Sequence, residues 1–431
     1  MKQSIFSVRD FDAIGDGNQL DSPAIQQTID ICAKAGGGKV LLPTGKYLSG
    51  TLFLRDSVTL HLAEGSELIA SADIAHYPEI TFYEGLPRYR KDRHAFIYAE
   101  GVKHCGISGK GIIDGQDQLF WDPINPENLR PDGVHYRKRE WRPFTIAFNR
   151  CEHVHVEDIT VAKSPAYAAW IVECNHVRLQ NVTVDHDFHG PNTDGFHLSS
   201  CHNAFISGCS FYAGDDCIAI DGNGPAGSNG IVISDCVFET LTNAVRLFTN
   251  LDPVINESVP VPWCTVENVA IHNCVVKDAA GVLNVVANNG TISNVVVSGV
   301  SITQKLPGTA LFFLTQNGKI NNVDISHIVA RGNGAAALMG DAPDSIKGIS
   351  LSHCQFEITP VRKEWELGFS PKIDHYTIYH QAPWMLHFRN IRQLSLDHLH
   401  VKWTGNSIDV PPVWNYENVN PLQESFLTSE A

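Results

Sequence analysis

An all-β solenoid, a parallel β-helix of short stacked coils, is the fold class this sequence predicts. Three observations predict it: a recurring cysteine phrase, short aliphatic runs at period two, and a repeat of 23–27 residues. The phrase is a small or polar residue, a cysteine, one or two polar residues and then alternating aliphatics. It stands at Lys103–Ile107, Arg150–Val156, Glu173–Leu179 and Ser200–Ile206. A second phrase follows it, at Gly208–Phe211, Asp235–Phe238, Asn273–Val276 and His353–Phe356. Cys151 and Cys174 are 23 residues apart; Cys174 to Cys201 and Cys209 to Cys236 are each 27. Between these anchors, runs of Val, Ile, Phe and Leu are broken by Asn, Gly, Asp and Ser, which reads as several short strands per repeat. A unit this small cannot bury its own apolar face. Propeller blades need roughly 40–50 residues, and the Leu-x-x-Leu-x-Leu of leucine-rich repeats is absent. One coil per repeat, stacked about 4.8 Å apart, remains. The repeated cysteines then form an internal stack of small buried hydrophobes, and no Cys-x-x-Cys supplies a metal site.

Repetition overrides a domain count by length, so residues 1–431 are expected to form a single β-helix domain. With 43% hydrophobic and 18% charged residues the chain can bury a large core. Its 47 acidic against 32 basic residues leave a net charge of −15, which argues against a nucleic-acid or anionic-membrane partner. No apolar run is long enough to span a bilayer. The first residues lack the apolar stretch of a signal peptide, so the expected location is cytoplasmic, or secreted or periplasmic if a leader has been removed. Eleven cysteines, an odd number in a chain with a large core, are expected to be reduced.

One segment reads as helical, about 22–35. Asp21 is placed as N-cap, Pro23 in the first turn, and Ile25, Ile29, Cys32 and Ala33 follow at helical spacing before Gly36, Gly37 and Gly38. This amphipathic helix is expected to cover the first coil. Segments near 76–95, 114–142, 250–264 and 361–383 break the repeat and read as projecting loops, where binding and catalysis usually sit. An irregular tail is expected over about 404–431.

Aligning successive coils by their aliphatics sets Phe196 and Leu198 against Ile218 and Ile220, and these against Val245 and Leu247. Asp194 then falls on Asp216, Thr193 on Asp215, and Asn243 on the column of the two aspartates. One column over, His197, Ala219 and Arg246 stack on the outward side. Three carboxylates from two coils thus meet, close enough for each charge to raise the next one's pKa. Strict alternation points Asp194 and Asp216 inward; a turn must re-aim them, and if they are instead buried the reading fails. Asp as a turn residue is the plain alternative for any one of them. Three together suit acetal hydrolysis: one protonated carboxyl donates to the leaving oxygen, and the others activate a water on the far side, giving inversion. Clustered Asp could instead bind Ca²⁺, with the charge density a lyase site needs.

The sequence resembles glycoside hydrolase family 28, the polygalacturonase family of single-stranded, right-handed, pectate-lyase-like parallel β-helices. The resemblance is carried by Phe11–Gly17, Thr51–Leu54, Gly109–Gly115, Asn192–Gly195 and Gly214–Ile220, and it covers most of residues 6–300. It implies inverting hydrolysis without metal or cofactor, with Asp215 as general acid and Asp194 and Asp216 holding the water. Two departures stand out. The family's Gly-His-Gly is replaced by Thr242-Asn243-Ala244, and its Arg-Ile-Lys, which grips a galacturonate carboxylate, aligns with Gly281–Val286, where no residue is basic. Arg246, projecting from the coil between, is the candidate replacement.

Asn192, Asn243 and Arg246 are therefore the substrate-binding candidates, with His189 beside the Asn192 motif and Trp141 as a sugar-stacking ring. Trp141 ends the densest basic and aromatic stretch, Arg130–Arg142, which reads equally well as a solvated loop. His186 and His189 are lone histidines of the kind that are more often structural. Trp365, Trp384 and Trp414 either wall a cleft or pack it. The expected activity is hydrolysis of pectin-related oligo- or polysaccharides, exo-acting because long loops close one end of a groove. The alternatives are a hydrolase of another sugar, a lyase or epimerase, and a non-catalytic carbohydrate-binding β-helix; oligomeric state is open.

Overall fold

The computed structural model describes residues 4–80, 93–125, 135–222, 226–250, 263–304, 308–359, 385–405 and 412–430. Its strands pair in parallel with those one coil before and one coil after, winding a right-handed β-helix. One coil is Ala169–Val172, Asn175–Gln180 and Thr183–Asp185; the next is Phe196–Ser199, His202–Ser207 and Ser210–Ala213. Each strand stacks on its counterpart in register. The face that carries the site runs through β1 (Ala169–Val172), β2 (Phe196–Ser199), β3 (Ile218–Asp221), β4 (Asn243–Thr249) and β5 (Gly281–Asn288). Phe196, Ile218, Val245 and Leu283 form one inward column; Leu198, Ile220, Leu247 and Val285 form the next. All are buried, so each coil closes the apolar face its neighbour leaves open.

The polar residues flanking the cysteines have a backbone task. Two columns of bends require a left-handed conformation. One runs through His104, His153, His176, Asn203, Asn268, Asn294 and Asn322, the other through Asp158, Asn181, Asp235, Asn273, His327 and His353, all at positive φ. Asn, Asp and His tolerate that region better than other residues with a Cβ. Stacking then turns the bends into ladders. The rings of His104, His153 and His176 lie 4.5–4.6 Å apart and nearly parallel, and the amide of Asn294 donates to Asn268 while that of Asn322 donates to Asn294. All eleven cysteines are free and buried.

The helix spans Ser22–Lys34 and buries Ile25, Ile29 and Cys32 over the first coil. Asp21 is not its side-chain cap. Its carboxylate accepts instead from the backbone N–H of Ile14 (2.7 Å) and Gly15 (2.9 Å), tying the preceding loop to the helix start. The expected irregular tail is also corrected. Trp414–Val419 and Leu422–Glu430 are strands that add a further coil on Leu386–Trp403, with Leu422 on Leu394 and Leu427 on Leu399. A terminal coil has one face uncovered, so its sequence is too polar to show the pattern: Phe426 there is 72% exposed. Of the expected loops, 361–383 and most of 250–264 lie outside the described residues, as do Trp365 and Trp384. The 114–142 loop contains a small antiparallel pair, Trp121–Pro123 with Tyr136–Lys138. Among the described residues no helix is long and apolar enough to cross a membrane.

Candidate active site

The strands β2 and β3 start at Phe196 and Ile218, so Asp194 and Asp216 lie in the turns before them, where period two does not apply. The turns are tight: a Cβ on Gly195 would stand 2.3 Å from the Cys217 carbonyl oxygen, and one on Gly214 would stand 2.5 Å from Thr193 Oγ1. Gly195 N–H donates to the Asp216 carbonyl at 2.9 Å, which locks one aspartate turn on the other. The carboxylates turn away from the apolar core. Asp194 and Asp216 are each only 3% exposed, yet what surrounds them is the polar outward column rather than the interior, and Asp215 keeps part of its surface.

Asp216 is held by donors. Asn243 Nδ2 donates to its Oδ1 at 2.6 Å, the Thr242 hydroxyl lies 3.2 Å from the same oxygen, and Arg246 Nη1 reaches Oδ2 at 3.3 Å. The Arg246 guanidinium also lies over the Phe248 ring at 4.9 Å. Asp215 shares the Thr242 hydroxyl at 3.3 Å and accepts from Asn192 Nδ2 at 3.4 Å. Asn192, itself at positive φ, is oriented by a buried cation: Arg142 Nη2 donates to its Oδ1 at 3.0 Å, which leaves the amide nitrogen facing Asp215. Asp194 Oδ2 faces His197 Nδ1 at 3.5 Å, and His197 Nε2 meets Asp221 Oδ2 at 2.8 Å.

These contacts distribute charge unevenly. Burial, followed by the charges of Asp194 and Asp216, pushes the Asp215 carboxyl well above the ordinary range, with Arg246 opposing only in part. Burial also raises Asp194, as does the Asp216 charge, while His197 and Arg246 pull it back. Of the three, Asp215 is the one whose cation is furthest removed in the chain of contacts.

The sequence-expected residues divide accordingly. Asp194, Asp215, Asp216, Asn192, Asn243 and Arg246 come together. His189 lies on the adjoining turn, stacked 3.9 Å from His135, and its backbone N–H donates to Asp187. Trp141 packs its ring against Phe120, Tyr77 and His94 at 5.0–5.5 Å, an aromatic cluster rather than an open platform. Burial pushes His186 down to about 4, with its Nδ1 against the Thr193 carbonyl, a structural role. Arg142, Thr242, His197 and Asp221 were not among the expected residues. Coil register placed His197 in the outward column with Ala219 and Arg246, as the structure does, but assigned it no role.

A divalent cation fits this cluster poorly, because Arg246 and His197 already occupy the sides a cation would take. Among the described residues, His353, Asp397 and His398 offer ligand atoms within 4.8 Å of one another. The two rings are stacked 4.7 Å apart at 5°, so their nitrogen lone pairs lie in parallel planes and do not converge on one ion.

Comparison with known proteins gives a consistent picture. The model of glycosyl hydrolases family 28 matches residues 86–305, just over half the chain. A probable polygalacturonase of Vitis vinifera is 30% identical over 225 residues, covering 50% of this chain and 43% of that protein. The chain thus spans under half the length of that relative. An exopolygalacturonase of Platanus acerifolia is 25% identical over 276 residues, covering 57% of this chain and 67% of the relative. The structure of an exopolygalacturonase from Thermotoga maritima superposes with a TM-score of 0.64 at 20% identity, over 83% of this chain and 88% of that one. At that identity it shares the fold.

The raised Asp215 carboxyl has a consequence for stability. Between the ordinary carboxylate pKa, about 3.9, and its own higher value, the folded protein binds a proton that the unfolded chain has lost, so this group's contribution falls as pH rises. Asp215→Asn removes that penalty. Urea denaturation should find the variant more stable than wild type at pH 7 and the difference gone near pH 3. Lower stability of the variant at pH 7 would contradict the assignment of charge.

Proposed function

Because the chain belongs to glycosyl hydrolase family 28, we propose that it hydrolyses glycosidic bonds of pectin-related oligo- or polysaccharides with inversion of configuration. Asp215 donates its proton to the glycosidic oxygen as the bond to the anomeric carbon breaks. Asp194, with Asp216 beside it, takes a proton from the water that attacks that carbon from the opposite face. Afterwards Asp215 is ionised and Asp194 protonated, and exchange with solvent resets the pair. The observation that carries this reading is the contrast within one cluster. Asp216 has Asn243 and Arg246 donating to it, whereas Asp215 is driven towards its acid form by burial and by its two carboxylate neighbours. Likeness to the Platanus acerifolia exopolygalacturonase supports action from a chain end on galacturonate oligomers.

Two measurements test the chemistry together. Asp215→Asn should lower kcat on oligogalacturonates by several orders of magnitude, because an amide cannot protonate the leaving group. The first product seen by proton NMR should carry the inverted anomeric configuration. Near-normal turnover of the variant, or a retained configuration, would overturn the assigned roles.

Arg246 supports a reading of substrate preference. It is the cation of the outward column, its side chain 20% exposed, and the next residue in that column is the neutral Asn284. A charge-assisted contact to a substrate carboxylate contributes about 1.5–3 kcal/mol. Since Arg246 also steadies Asp216, the telling quantity is a ratio. Arg246→Ala should depress kcat/KM on uronate oligomers tenfold or more relative to neutral ones, about 1.4 kcal/mol per factor of ten. A wild-type preference for neutral sugars would remove the clamp.

A further inference from the structure

His197 faces a carboxylate with each ring nitrogen, hydrogen-bonded to Asp221 and in longer contact with Asp194. It lies on β2 in the outward column, 3% exposed, with Nδ1 3.5 Å from Asp194 Oδ2 and Nε2 2.8 Å from Asp221 Oδ2. Asp221, at the end of β3, is fixed in turn: the Ser199 hydroxyl donates to the same oxygen at 2.8 Å, and the Trp170 indole N–H donates to Ser199 Oγ at 3.0 Å. The Tyr167 ring stacks on the imidazole at 4.7 Å, and Phe248 meets it in an edge-on contact at 5.8 Å. The ring is thus gripped along its edge and against its face. A neutral imidazole has a single N–H and would present a lone pair to one of the two carboxylates. Set between two carboxylates, the ring avoids that only with a proton on each nitrogen.

We propose that His197 is a positioning residue: a buried imidazolium, with Asp221 as its counter-ion, whose charge keeps Asp194 ionised as the base that activates the attacking water. This deepens the reading given under Proposed function and rests on it for the role of Asp194. The charged groups around the pair act in both directions. Asp216 opposes ionisation of Asp194, and Arg246, from β4, favours it. At His197, burial lowers the imidazole pKa, but the carboxylates of Asp194 and Asp221 outweigh it and raise it to about 9. The signs are consistent: below that pH His197 is charged, and its charge draws Asp194 down from the value that burial alone would impose.

His197→Gln keeps a hydrogen-bonding side chain and deletes the charge. The acidic limb of kcat/KM on trigalacturonate, which reports the base in the free enzyme, should move to higher pH by about one unit or more. Asp221→Asn, which leaves the imidazole in place but removes its counter-ion, should bring the titration of the His197 resonance to lower pH than in wild type, and it serves if the glutamine variant does not fold. Independently of activity, the His197 resonance in isotope-labelled wild-type protein should show no titration below pH 8. Wild-type titration below pH 7, an acidic limb that stays fixed in His197→Gln, or a His197 titration unmoved by Asp221→Asn would overturn the proposal. Undiminished activity of Asp215→Asn would instead overturn the hydrolase reading, and the titration of His197 would still report on the imidazolium by itself.

Discussion

Residue-on-residue stacking between coils is the constraint on which the rest depends. Parallel strands about 4.8 Å apart place each side chain directly over its counterpart one coil away. Inside, this builds the columns Phe196–Ile218–Val245 and Leu198–Ile220–Leu247. Outside, the same register brings His197, Ala219 and Arg246 into line and sets the turn of Asp194 on that of Asp216. A catalytic cluster therefore needs no long-range folding coincidence. It arises wherever two successive coils carry carboxylates at the same position.

Stacking like charges has an energetic cost, and the neighbouring residues show how it is met. Carboxylates this close cannot all be ionised without compensation. Arg246, Asn243 and Thr242 attend Asp216, His197 attends Asp194, and Asp215 is left with neutral hydrogen-bond partners and a carboxyl pushed well above the ordinary range. The asymmetry among the carboxylates is thus produced by where the cations stand. The face beyond turns apolar, with Phe248, Val286 and Phe312 in the outward columns, so the positive charge is concentrated at the carboxylates.

Much of this was legible in the sequence because period-two strands in a solenoid make register readable: aligning aliphatics alone paired Phe196 with Ile218 and Ile218 with Val245, as the structure does. What was not legible lies where local pattern is silent. Asp21 looked like a helix cap, yet its carboxylate serves the loop at Ile14 and Gly15, because tertiary N–H donors compete with the helix for it. The 404–431 segment lacked an apolar period, since a coil at the end of the stack buries only one face. Arg142 orients Asn192 across fifty residues, and Asp221 sets His197 through a neighbouring coil; both need three-dimensional contact to be seen.

The protonation of Asp215 is the point at which fold, charge and chemistry meet. Its carboxyl can be followed directly by carbon-13 titration of aspartate-labelled protein, with the Asp215→Asn spectrum supplying the assignment. The predicted result is a carboxyl that ionises at clearly higher pH than the exposed aspartates do. Ionisation in the ordinary range, about 3.9, would contradict the assignment of the acid to Asp215.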